Sequence, residues 1–196
     1  MTRALIVVDI QNDFVEGGSL PVEGGIKLGY LIANAISSLK SFGLYDHVVA
    51  TKDFHLPGDS NGGHISDNPN YVSTWPSHCI QGTTGAMFVP QVEAIADDFE
   101  AIFYKGQGRA DYSGFQGVDV NGDHLYTWLT ARNVDSVDVI GIATDHCVKV
   151  TAEDAIMAGF ATRIPALLTV AVGGPDAVVD TIEKINRMQG LNRRIN

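Results

Sequence analysis

Cys147 stands in unusual company, closing the run Gly141-Ile142-Ala143-Thr144-Asp145-His146-Cys147 ahead of a segment that reads as a helix over Val148 to Ala158. A thiol at a strand-to-helix turn lies where helix-end N–H groups favour a thiolate, and the same amides can form an oxyanion hole. A lone cysteine is otherwise a buried structural group. The adjoining Thr144, Asp145 and His146 set this one apart. A nucleophilic cysteine needs a base. His146 is adjacent in sequence, but neighbours at a helix start project in different directions. Asp9 and Lys105 are better placed, because each follows an apolar run, Ala4 to Val8 and Ala101 to Tyr104. Taken singly, each reads as a salt bridge or a cap. Together they bring a carboxylate, an ammonium and a thiol to one edge of a sheet.

A second group of residues suits a metal. Asp53 and His55 are two apart, and in extended chain that spacing faces one side. His64 and His78 follow, so four of the six histidines fall between His47 and His78. One carboxylate with two or three imidazoles is a donor set for iron, manganese or zinc, and such donors do not separate Fe²⁺, Mn²⁺ and Zn²⁺. His47 opens a strand and reads as structural. Cys79 reads as buried, although it could serve as a softer ligand. The run Asp119 to Asp123 lacks the spacing of a calcium loop and reads as a turn. Phe14, Trp75 and Tyr112 lie in glycine-rich surroundings, where flat apolar walls would suit a planar ring.

The elements that position these groups alternate in type. Ala4–Val8, His47–Thr51, Ala101–Tyr104, Val137–Ile140 and Ala161–Ile164 are short and apolar, as strands buried on both faces are. Between them, Leu28, Leu31, Ile32, Ala35, Ile36 and Leu39 form a stripe at helical steps. Leu125, Trp128 and Leu129 form a shorter one, and Val178, Ile182, Ile185 and Met188 another. Such alternation predicts an α/β fold, a mainly parallel sheet between two helical layers. The Pro- and Gly-rich stretch from Phe54 to Pro90 breaks the rhythm, and loops of that length are usually functional.

Composition narrows the classes. A chain of 196 residues fits one domain over 1–196, with a metal-binding loop region at about 53–90. With 13 Lys+Arg against 23 Asp+Glu the formal charge is −10, and without a basic run nucleic acid is an unpromising partner. No apolar run approaches the ~20 residues of a membrane span. Two cysteines are too few for a disulfide scaffold, and the expected location is the cytoplasm. Gly106-Gln107-Gly108 has no third glycine, so no organic cofactor is expected. The expected state is a monomer or a small homo-oligomer.

Ordered motifs from Ala4 to about Leu167 then carry a resemblance. They are Ile10-Gln11-Asn12-Asp13-Phe14, Thr51-Lys52-Asp53-Phe54-His55, Trp75-Pro76-Ser77-His78-Cys79, Tyr104-Lys105-Gly106, Tyr112-Ser113-Gly114-Phe115 and the run ending in Cys147. The sequence resembles the nicotinamidase/pyrazinamidase group of the isochorismatase-like cysteine hydrolases, in its actinobacterial form. The resemblance implies a three-layer α/β/α domain that hydrolyses nicotinamide, and its analogue pyrazinamide, through a cysteine thioester. It implies Cys147 as nucleophile, Asp9 as acid and base, and Lys105 as the third catalytic residue. It further implies Asp53, His55, His64 and His78 around one divalent metal ion. Phe14, Trp75, Tyr112 and Ile142 would surround the substrate ring, with a cis Ile142–Ala143 peptide and an oxyanion hole at Ala143 and Cys147. The Asp53/His55/His78 set argues against hydrolysis of another small amide. The thiol argues against vinyl-ether hydrolysis, and the intact catalytic set argues against a scaffold without activity.

Overall fold

The computed structural model describes residues 1–195. Five strands lie in the order β3-β2-β1-β4-β5, where β1 is Thr2–Val8, β2 His47–Asp53, β3 Ile102–Lys105, β4 Val134–Ile142 and β5 Ala161–Arg163. A two-residue β6, Thr169–Val170, pairs with the end of β4. The pairings are parallel throughout. β1 is central, which explains why Ala4 to Val8 is an unbroken apolar run: both of its faces are covered.

Alternation along β1 divides the core in two. Leu5 and Val7 face a cluster with Leu28, Ile32 and Ile36 of α1 (Gly25–Ser41) and Val92 of the short α2 (Pro90–Glu93). Ala4, Ile6 and Val8 face Trp128 and Leu129 of α3 (Leu125–Ala131), Ala152 and Ile156 of α4 (Lys149–Met157) and Ile185 of α5 (Gly174–Ile195). The three layers are thus as the alternation predicts. Right-handed crossovers account for the division: the chain leaves β1 toward β2 and β3 with its helices on one face. It then returns past β1 to β4 with its helices on the other. Leu31 departs from the predicted stripe. It is 43% exposed, because Leu28, Ile32 and Ile36 at four-residue steps already cover the sheet.

The strand order reverses between β2 and β4 at β1, and the carboxyl ends of those strands open into a crevice where open α/β sheets hold ligands. Asp53 ends β2, Lys105 ends β3, Asp9 follows β1, and Cys147 follows β4 in the turn Thr144–Val148 before α4. The stretch 54–90 forms no long element. It is laced by isolated bridges of His55 with Ile80 and Ile65 with Trp75, which draw its histidines together.

Candidate active site

Lys105 organises the floor of the crevice. Its buried Nζ lies 2.9 Å from Asp9 Oδ2, 2.6 Å from Asp53 Oδ1 and 3.6 Å from Cys147 Sγ. Asp9, Asp53 and Cys147 each offer a donor atom within 4.8 Å of the others. The ammonium already supplies the cation for that group. Burial works against the charge on Lys105, but Asp53 and Asp9 outweigh it and raise the amine well above its ordinary range. Burial pushes the Asp9 carboxyl up; Lys105 opposes this only in part, and Asp53 adds to it. Burial also pushes the Cys147 thiol well up, against the pull of Lys105. In a dry pocket one shared ammonium does not offset desolvation, so burial works against the thiolate that a helix turn by itself favours and makes the neighbouring carboxylate more basic.

Asp9 adopts φ +51°, in the left-handed region that Asp tolerates better than most residues, which turns the chain sharply off β1. The Thr51 hydroxyl donates to Asp9 Oδ1 at 2.6 Å and leaves Oδ2 for Lys105.

Beside this floor, His55, His64 and His78 each offer a ring nitrogen within 4.8 Å of the others, all three buried. His55 Nδ1 is 2.8 Å from the Gly106 carbonyl and His78 Nδ1 2.7 Å from the Pro76 carbonyl. Each ring therefore donates from Nδ1 to a backbone carbonyl and presents Nε2 as its acceptor, as metal-binding histidines typically do. Both Nε2 atoms lie 3.7 Å from Asp53 Oδ2, which is too long for a hydrogen bond. His55 Nε2 and His64 Nδ1 are buried without a hydrogen-bond partner among the described residues. A partnerless His55 Nε2 facing the Asp53 oxygen, with a partnerless His64 nitrogen in the same imidazole cluster, fits a metal ion. Burial brings His64 down to about 3, so its ring is neutral, the form that binds metal. Burial opposes the charge on Asp53, but the Lys105 ammonium at 2.6 Å holds it well below the carboxylate range. Position 106 must be glycine: its φ is +75°, and a Cβ there would meet the His55 ring at 2.5 Å.

A cavity of about 360 Å³ opens above these groups. Phe14, Trp75, Tyr112 and Ile142 line it, together with Ala143 and Cys147. Phe14 lies 5.4 Å from the His78 ring, and Trp75 Nε1 donates to the Tyr112 hydroxyl at 2.8 Å. The Ile142–Ala143 peptide is cis.

A family model described as the isochorismatase domain matches residues 3–188. The chain belongs to the isochorismatase family. Over 184 residues it is 52% identical to the nicotinamidase/pyrazinamidase of Mycobacterium tuberculosis, covering 93% of this chain and 94% of that protein. The pyrazinamidase of Pyrococcus horikoshii in complex with zinc shares the fold at a TM-score of 0.76 and 31% identity, over 96% of this chain and 97% of that one. PnC1 from L. infantum in complex with nicotinate is similar at 0.76 and 31%, over 95% and 89%.

The isochorismatase match extends past Leu167, where the motif resemblance stops, and so takes in much of α5. Among the remaining sequence readings, Cys79 is buried as expected, and its N–H donates to Asp13 Oδ2. His47 pairs with Glu100, and the Asp119 carboxylate accepts the N–H groups of Asn121 and Asp123 in a local turn. Two site residues escaped the sequence reading of side-chain chemistry. Thr51 orients Asp9, and Gln11 clamps the end of β2 by accepting the Asp53 N–H and donating to the Asp53 and Ala86 carbonyls. The only signal for Gln11 was a polar residue inside a quoted motif, and Thr51 gave none beyond its own. No helix among the described residues is long and apolar enough to cross a membrane.

Proposed function

We propose that this protein is an amidohydrolase that converts nicotinamide to nicotinate and ammonia, and pyrazinamide to pyrazinoate. The observation that carries the reading is the convergence of Asp9, Lys105 and Cys147 at the floor of an aromatic-walled cavity beside the imidazole cluster. The 52% identity to a nicotinamidase/pyrazinamidase over nearly the whole chain supports the same substrates.

In this reading Phe14, Trp75, Tyr112 and Ile142 orient the ring and place the carboxamide carbon over Sγ, and such positioning contributes several kcal/mol. Asp9 takes the Cys147 proton as the sulfur attacks that carbon. The N–H groups of Ala143 and Cys147 receive the oxyanion. Asp9 returns the proton to the departing nitrogen, ammonia leaves, and a thioester remains. Asp9 then deprotonates a water that attacks the thioester carbonyl; the acid is released and the thiol restored. Lys105 balances the charge of Asp9 and Asp53 throughout. Asp53, His55, His64 and His78 would hold one divalent ion, Fe²⁺, Mn²⁺ or Zn²⁺, which supplies a Lewis-acid anchor for the ring nitrogen.

The whole chain serves as one catalytic unit, with residues 53–90 as its metal loop, acting as a monomer or small homo-oligomer. The two free, buried cysteines suit the reducing cytoplasm. The test is ammonia release from nicotinamide by the purified protein, before and after chelation and with each metal restored. Activity is expected to vanish on chelation and to return with one of the three ions. Cys147→Ala is expected to lower kcat by about 10⁴-fold or more. Near-normal turnover by that variant would overturn the thioester route and favour a metal-bound hydroxide.

A further inference from the structure

Asp145 has no part in the chemistry above, yet it joins three separate pieces of the cavity wall. It lies two residues before Cys147. Its Oδ1 accepts the Val172 N–H at 3.0 Å, and its Oδ2 accepts the Gly173 N–H at 2.9 Å, just ahead of α5. Oδ1 also lies 3.1 Å from His146 Nδ1. His146 leaves the helical conformation (φ −127°, ψ −105°), so the turn alone does not set its side chain. Its ring meets Trp75 edge to face, with centroids 5.4 Å apart and planes at 80°. Trp75 in turn donates to Tyr112. His146, Val172, Trp75 and Tyr112 all line the cavity.

The neighbourhood is shaped to admit this carboxylate. At position 173 a Cβ would stand 3.3 Å from Asp145 Oδ2 and 2.9 Å from Ala177 Cβ, so glycine lets the chain close on it. Burial pushes Asp145 up, but hydrogen bonds from His146 and the Gly173 and Val172 N–H groups outweigh it and leave the carboxyl at about 2. With its oxygens committed to three donors, Asp145 is an anchor and not a base.

We propose that Asp145 is a positioning residue for substrate capture, fixing the His146 ring against Trp75 and tying that wall to the Val172–Gly173 segment. The proposal rests on the amidase reading for its substrate, and it deepens that reading by naming what holds the wall beside the nucleophile turn.

The experiment compares the metal-loaded wild type with Asp145→Ala, His146→Ala and the double variant, using nicotinamide. Asp145→Ala is expected to raise KM about tenfold while kcat stays within about threefold, since a wall that drifts costs binding before chemistry. The double variant is expected to be no worse than the more affected single one, because the two residues act as a unit. Asp145→Asn, which keeps an acceptor for a backbone N–H, is expected to recover most of the loss. Independent effects that multiply, or a fall in kcat with KM unchanged, would overturn the proposal. A second readout does not depend on the substrate. In a Trp128→Phe background, acrylamide quenching reports Trp75, and Asp145→Ala is expected to expose it. Unchanged quenching would overturn the proposal even in an active enzyme. Wild-type protein that releases no ammonia under any metal would instead overturn the amidase reading, and the quenching result would still decide the role of Asp145.

Discussion

Asp9, just past the end of β1, and Asp138, within β4, are both buried carboxylates beside cations, and their surroundings move them in opposite directions. Asp138, midway along β4, receives the Arg163 guanidinium through Nε at 2.8 Å and again through Nη2. Arg3 Nη2 adds a contact at 3.2 Å, and the Tyr45 hydroxyl donates as well. Burial raises Asp138, but these donors outweigh it and leave the carboxyl below its ordinary range. Asp9 lies deeper and shares a single ammonium with Asp53 and a thiol, and burial wins. Depth and the number of donors per carboxylate together separate a structural ion cluster from a reactive one. Location explains the difference in supply. Arg163 reaches in from solvent with its side chain 63% exposed, whereas Lys105 is wholly interior. Guanidinium groups can be added from outside to the first cluster, and nothing can be added to the second without filling the cavity.

The comparison breaks most visibly at Lys105. Lys105→Met leaves Asp9 and Asp53 buried together without their cation. It is expected to lower kcat by about 10²–10³-fold or more and to destabilise the fold by about 3–5 kcal/mol. Ammonia release and urea midpoints measure the two effects, and a mild loss of both would remove the distinction drawn here.

Asp138→Asn should cost about 1–3 kcal/mol at neutral pH, where Arg163 and Arg3 lose their charged partner, and should leave ammonia release unchanged. Its pH dependence has a definite sign. The folded carboxyl lies below its unfolded value, so Asp138 stabilises the fold above the ordinary carboxylate range and loses that contribution as pH falls through its folded value. Urea midpoints of wild type and variant should therefore differ at pH 7 and 5 and converge in strong acid. A gap that widens in acid would contradict the assignment. The smallest effect is expected at Tyr45→Phe. It removes one donor from a carboxylate that keeps two guanidiniums, at about 0.5–1.5 kcal/mol, with activity unaltered.

The strands were legible because a strand covered on both faces must be a continuous apolar run, and Ala4 to Val8 is one. Asp9 and Lys105 were legible through the same runs, because both follow one and so collect with Cys147 at a single edge of the sheet. Leu31 misled because a helix of this kind needs only the step of four to cover its sheet. β6 has two residues and exists through its pairing with Gly141 and Ile142, which no local pattern announces. Thr51 and Gln11 stayed hidden for a different reason. A polar residue in a turn or at a strand end reads the same whether it meets water or holds another side chain.

Residue order by itself determined the layers, the edge of the sheet at which chemistry collects, and the kinds of donor available there. Those follow from periodicity, burial and the fixed chemistry of side chains. Tertiary structure alone decided which way each proton equilibrium moves. One ammonium divided among Asp9, Asp53 and Cys147 does not offset the burial that raises the thiol and makes the Asp9 carboxylate more basic, and that outcome depends on distances and excluded water that residues far apart in the chain acquire only when packed together.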